Sequence, residues 1–149
     1  MKITVSTDIG LPVADVWHWY AVEHVRNHPR WDPDMELEQI SDGQMGLGTR
    51  IRRRNHHFGE PIEGEMEIVE WEPERAMGAQ IHDANTDTSG RVTFEAVGPS
   101  RTRLTIEADF PNLDASRVDQ LRPLIERTAS NVRRLVESEA RPGAGSGRR

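Results

Sequence analysis

Residues 114–140 read DASRVDQLRPLIERTASNVRRLVESEA, and they decide the fold because they alone repeat apolar side chains at helical spacing over many turns. Val118, Leu121, Ile125, Thr128, Val132 and Leu135 follow at steps of three and four, with Leu124, Ala129 and Val136 widening the stripe. Arg122, Glu126, Arg127, Arg133, Arg134, Glu137 and Glu139 surround it, and these belong in water. The pattern predicts a long amphipathic helix with one face against the rest of the protein, and Asp114 stands at its N-cap. Pro123 falls inside the stripe, where a helix interior loses about 3 kcal/mol. A short first segment followed by a bend is expected there.

A chain of 149 residues supports one domain with a real core, here expected over 1–140. The last nine residues, RPGAGSGRR, have no apolar side chain larger than alanine, and 141–149 is expected to be a disordered tail. There is no cysteine, which excludes disulfides, thiol catalysis and cysteine-bound metals. Residue 1 onward shows no signal-peptide pattern and no run is apolar enough to span a membrane, so a cytoplasmic monomer or homodimer is the expectation. The net charge of −6 argues against nucleic acid as a partner.

Ahead of the helix the chain alternates. Ile3, Val5 and Ile9 against Lys2, Thr4, Ser6 and Asp8 predict a half-buried first strand over 2–9. Gly10 breaks it, Pro12 suits a first helical turn, and Val13, Val16, Trp17 and Tyr20 share a face, so a helix is expected over about 12–25. Pro29 and Pro33 bracket Trp31 in a stiff connector over 27–34. Short alternating runs then predict strands at 35–41, 48–57, 62–72, 76–83, 89–97 and 102–110. Connections this short make neighbouring strands antiparallel. A sheet with one apolar face and a long amphipathic helix pack by laying the helix across the sheet, with room for a pocket between them.

In this order and spacing the chain resembles the START-like superfamily, specifically its bacterial polyketide cyclase/dehydrase branch, abbreviated SRPBCC. The resemblance rests on Leu11-Pro12-Val13-Ala14-Asp15-Val16-Trp17, His28-Pro29-Arg30-Trp31-Asp32-Pro33, Gly46-Leu47-Gly48-Thr49-Arg50, Val69-Glu70-Trp71-Glu72-Pro73 and Ser100-Arg101-Thr102-Arg103-Leu104-Thr105. It implies an α+β helix-grip (START/Bet v 1-like) fold, in which a curved antiparallel sheet of about seven strands wraps around the C-terminal helix. It also implies a cavity for hydrophobic small molecules. It implies no single reaction, and the matching motifs are structural ones, so no catalytic residue carries over.

The run Arg50-Ile51-Arg52-Arg53-Arg54 invites a nucleic-acid reading, but periodicity argues otherwise. With Ile51 pointing to the core, Arg50, Arg52 and Arg54 face solvent and stand opposite Glu67, Glu65 and Glu63 of the next strand. The same phase turns Arg53, Asn55 and His57 toward the concave face, with Arg53 opposite Gly64. A guanidinium there must reach the rim, meet an acid such as Glu70, or meet a ligand.

Among six histidines, His24 and His28 have helical i, i+4 spacing, but Pro29 disfavours a helical His28 and no third ligand is indicated, so no metal is expected. No nucleophile elbow or triad is present, and no cofactor is implied. Trp17 and Trp71 read as core, Trp19 lies off the helical stripe, and Trp31 is a candidate for a pocket edge, with core filling the favoured reading for each.

These readings converge on a cavity lined by Met66, Phe94, Ile106, Leu121, Ile125, Thr128 and Trp31, with Arg53 and Asn55 as its polar end. The expected function is binding of a hydrophobic or aromatic small molecule, as a carrier or sensor, with Arg53 holding an anionic head group. The alternative is a polyketide cyclase/dehydratase-like enzyme in which Arg53 polarises a carbonyl of a poly-carbonyl substrate. The sequence offers no clear general base, which favours binding.

Overall fold

The structure is a computed structural model describing residues 1–57, 59–84 and 86–139; Ala140, the expected tail, Phe58 and Asn85 lie outside the described residues. In chain order the elements are β1 (Lys2–Ile9), α1 (Val13–Trp17), a π turn (His18–Val22), α2 (His24–Trp31), β2 (Met35–Gln39), β3 (Arg50–Asn55), β4 (Ile62–Glu72), β5 (Ala76–Asp83), β6 (Thr86–Gly98), β7 (Arg101–Asp109) and α3 (Ala115–Glu139). The strands form one antiparallel sheet in the order β1-β7-β6-β5-β4-β3-β2. The chain thus enters at one edge, crosses through α1 and α2 to the other, and returns strand by strand until β7 lies beside β1.

The expected helix over 12–25 is not one helix. It breaks at the π turn, and α2 restarts at His24 and continues to Trp31, so the stretch read as a connector is largely helical and His28 lies inside it despite Pro29. Tertiary packing overrides the local preference here: Trp31 is 2% exposed, stacked on Tyr20 at 4.7 Å and on His28 at 4.9 Å, and its carbonyl accepts from Asn131 of α3 at 3.0 Å. Burial of an indole on this scale is worth about 2–3 kcal/mol, enough to offset a helical residue before proline. α3 likewise runs through Pro123 as one helix, without separate segments. Asp114 caps it, its Oδ1 accepting from the Arg117 amide at 3.0 Å and the Ser116 hydroxyl at 2.8 Å, and these bonds hold its carboxyl below the ordinary value. β6 starts at Thr86, three residues ahead of the expected 89.

The stripe of α3 does two jobs. Ala129, Val132 and Val136 are buried in the main core with Trp17, Trp19, Phe94 and Ile106, and Val118 packs with Ile3, Ala108 and Phe110. Leu121, Ile125 and Thr128 between them stay half-buried. Trp17 meets Trp71 and Phe94 edge-on at 4.8 Å and 5.1 Å. Trp19 is buried as well, because the π turn shifts the helical phase and its indole Nε1 donates to Glu139 of α3 at 3.2 Å.

The register of β3 against β4 pairs Arg50 with Glu67, Arg52 with Glu65, Arg53 with Gly64 and Arg54 with Glu63, as the periodicity predicts. The ion pairs run diagonally or to the other neighbour: Arg50 meets Glu65 at 2.8 Å and Arg52 meets Glu38 of β2 at 2.6 Å. Further along β4 the pairing with β5 shifts by one between Ile68 and Glu70, leaving Val69 as an exposed extra residue. This bulge reverses the parity that would have turned Glu70 inward. Glu70 instead binds Arg91 through two hydrogen bonds of 2.8 Å and 3.0 Å on the outer face, so it is not the partner of Arg53.

Two outcomes follow for stability. Replacing Arg50, Arg52 or Arg54 singly by alanine should change unfolding free energy in urea by about 1 kcal/mol or less, since all three are exposed. Gly64→Ala should cost about 1–3 kcal/mol in the same measurement, because a Cβ there collides with the Asp83 side chain and the His82 carbonyl on β5.

Candidate functional site

Between the half-buried face of α3, the sheet and α2 lies a cavity of about 320 Å³. Of the residues that periodicity assigned to it, Met66, Ile106, Leu121, Ile125, Thr128, Arg53, Asn55 and Trp31 line it. Phe94 does not: its ring is used up in the core against Trp17 and Tyr20, at 5.1 Å and 5.8 Å. Trp31 is core, as the favoured reading has it, and forms an inner wall of the cavity, not an entrance, since α2 carries it inward.

The polar end is richer than the periodicity suggested, and its order begins at the π turn. Where that turn gives way to α2, two backbone carbonyls are bonded by side chains one or two turns on: Asn27 Nδ2 donates to the Trp19 carbonyl at 2.8 Å and His24 Nδ1 to the Tyr20 carbonyl at 3.1 Å. A carbonyl only accepts, so His24 carries its proton on Nδ1 and its Nε2 is an acceptor. His28 Nδ1 lies 3.0 Å from that Nε2 and must therefore donate to it. His28 is then left with an acceptor at its own Nε2, which bonds to nothing among the described residues. Burial holds His24 down to about 4 and His28 well below the ordinary imidazole value, with the nearby positive charge of Arg53 pushing both the same way. Both rings are neutral at pH 7.

The charged groups here are tied to one another. Arg53, inward as its phase requires, donates from Nε to Asp83 Oδ1 at 3.0 Å, and the two side chains are only 11% and 14% exposed. Gly64 opposite Arg53 leaves the space that Asp83 occupies. His57 Nε2 lies 2.7 Å from Asp32 Oδ2 and donates to it. Asn55, 4% exposed, has no hydrogen bond on its side-chain amide among the described residues, and its Oδ1 is buried without a partner. The Tyr20 hydroxyl is also unbonded there, and burial raises its pKa. Among the described residues no group of three or more His, Asp or Glu side chains is arranged to hold a metal ion.

Sequence reasoning therefore missed Tyr20, His24, His28, Asp32 and Asp83. The signal is present for four of them, since Tyr20, His24, His28 and Asp32 recur every fourth residue, but the helix expected from the pattern stops near Val25 and Pro29 disfavours a helical His28. Asp83 had no local signal, being brought to Arg53 by two strand pairings.

The same fold occurs in solved structures of low sequence identity. A START superfamily protein from Mycobacterium smegmatis superposes with a TM-score of 0.78 at 13% identity, over 92% of this chain and 97% of that one. Ara h 8.0201 gives 0.74 at 13%, over 93% and 99%. The Zhui aromatase/cyclase from Streptomyces sp. R1128 gives 0.73 at 17%, over 96% and 97%. No curated protein matches the chain in sequence. The family model described as polyketide cyclase / dehydrase and lipid transport matches residues 1–141, and the chain belongs to that family.

Proposed function

We propose that this protein binds a hydrophobic or aromatic small molecule, with an oily body along α3 and an oxygen-bearing head toward α2 and β3, as a carrier or sensor. The observation that carries the reading is a cavity of about 320 Å³ with Met66, Ile106, Leu121 and Ile125 in its walls and unbonded polar groups of Tyr20, His28 and Asn55 among its lining. Unbonded buried polar groups cost stability, and a ligand that bonds them recovers it. Small-molecule binding in place of nucleic acid is supported by the pairing of two of the three solvent-facing arginines, Arg50 and Arg52, with glutamates. No described helix is long and apolar enough to cross a membrane. A cytoplasmic monomer or homodimer is the setting we propose, on the support of a cysteine-free chain.

A second reading is favoured by one observation, the fixed acceptor at His28 Nε2. A neutral imidazole so placed can remove a proton from the carbon between two carbonyls. The resulting enolate oxygen accepts from the Tyr20 hydroxyl, and the imidazolium returns its proton to carbon or oxygen. This is the proton-transfer half of a cyclase acting on a poly-carbonyl chain, and it supplies the base that the sequence lacked.

Binding is tested with N-phenyl-1-naphthylamine, a neutral fluorophore. It should bind one per chain, and Thr128→Trp, which fills the cavity from α3, should weaken it by about tenfold or more; no binding, or binding untouched by that substitution, overturns the reading. For catalysis, the methylene of 1-phenyl-1,3-butanedione should exchange with deuterated water faster in the presence of the protein, and His28→Phe should abolish the acceleration. An equal rate for the two proteins leaves binding alone.

The buried histidines also set a pH dependence. His24 is depressed to about 4 against 6.5 in the unfolded chain, so between those values the unfolded state takes up the proton first. Stability is full above about 6.5 and falls as pH drops toward 4, by about 3 kcal/mol for His24 alone. Urea unfolding at pH 7.5, 5.5 and 4.5 measures this. His24→Asn, which keeps a donor near Nδ1 but cannot titrate, should reduce the dependence by the His24 share and leave that of His28.

A further inference from the structure

At the polar end of the cavity every charged side chain is paired with another, and apart from the terminal nitrogens of Arg53, whose pairing runs through Nε, the polar groups left without a partner among the described residues are neutral. Arg53 is held by Asp83 at 3.0 Å and His57 by Asp32 at 2.7 Å. The uncommitted neutral groups are the Tyr20 hydroxyl, the Asn55 amide and the outer nitrogen of His28, which the chain from the Tyr20 carbonyl through His24 fixes as an acceptor. Two carboxylates stand against one permanent cation, so the net charge there is −1 with His57 neutral and zero with it protonated. A carboxylate head group would lose its hydration and meet no net positive charge in return. A neutral hydroxyl would lose far less, donating to His28 Nε2 while accepting from Tyr20 or Asn55.

We infer that the site selects a neutral hydroxyl head group, a phenol or an enol, over a carboxylate on the same apolar body. This rests on the binding reading above and reverses the expectation from sequence that Arg53 would hold an anion. Arg53 contributes its charge to Asp83, and the ligand is read by neutral groups. The remaining charged residues around the cavity do not alter the balance at this end. Arg91 is committed to Glu70 and Glu107 to Lys2 on the outer side, and Arg117 is an exposed residue of the first turn of α3, far along the helix from Thr128.

The test is a calorimetric comparison of 2-naphthol and 2-naphthoate at pH 7.5, with N-phenyl-1-naphthylamine as the control for an intact cavity. The wild-type protein should bind 2-naphthol about tenfold or more tightly than 2-naphthoate. Asp83→Asn frees the charge of Arg53 and should raise the affinity for 2-naphthoate relative to that for 2-naphthol. His28→Phe keeps a ring against Trp31 but removes the acceptor, and should weaken 2-naphthol alone. Equal or tighter binding of 2-naphthoate by the wild-type protein overturns the inference without touching the binding reading, and this comparison needs no variant. The inference also falls, with the binding reading intact, if the control binds and neither naphthalene does, or if Asp83→Asn leaves the ratio unchanged. Failure of the control as well overturns both.

Discussion

The hydrogen bond from His24 Nδ1 to the Tyr20 carbonyl sets the chemistry of the cavity. It exists because a π turn interrupts the helical run after β1 and a side chain takes up a backbone acceptor at the break. From it the tautomer of His24 follows, then that of His28, and then the character of the nitrogen that His28 leaves for a ligand. Each step is dictated by the rule that a hydrogen bond needs one donor and one acceptor. Low dielectric sharpens the rule, since burial keeps both rings uncharged and removes the option of an imidazolium donating from both nitrogens. π turns occur often at functional sites, and here the reason is visible in the bonding it redirects.

The second organising constraint is charge pairing inside a thin shell of protein. Arg53 faces inward because Ile51 must, and an inward guanidinium without a partner is costly. The partner is Asp83, admitted because Gly64 between them has no side chain. The bulge at Val69 removes the competing carboxylate of Glu70 to the outer face, where Arg91 neutralises it. A buried pair of this kind contributes little net stability of its own, but losing one member strands the other. Its effect on the cavity is to cancel the charge that an inward arginine would otherwise offer to ligands.

The helix α3 divides its apolar stripe between stability and space. Ala129, Val132 and Val136 are buried against the aromatic cluster, while Leu121, Ile125 and Thr128 face the cavity. Clamps at the far end hold that division. Arg30 of α2 makes a two-point ion pair with Glu139, which also receives the indole N–H of Trp19, and Asn131 bonds the Trp31 carbonyl. The void and the unbonded groups of Asn55 and Tyr20 cost stability that the packed half of the helix supplies, the usual trade at a binding site.

By itself the sequence determined the antiparallel sheet, the long helix with Asp114 at its start, the register of β3 on β4 and most of the apolar wall. All of these follow from period-two and period-3.6 patterns, in which the nearest neighbours along the chain carry the information. It also determined that Arg53 and Asn55 point inward. Only the tertiary structure decided that Pro29 stays within a helix, since the stacking of Trp31 on Tyr20 and His28 outweighs a local preference no pattern can weigh. Only the tertiary structure decided that Phe94 belongs to the core and that a bulge turns Glu70 away. And only it brought Asp83, 30 residues from Arg53 in sequence, to a distance of 3.0 Å. The wall of the cavity was legible because burial is periodic; its charge was not, because pairing between distant strands has no period.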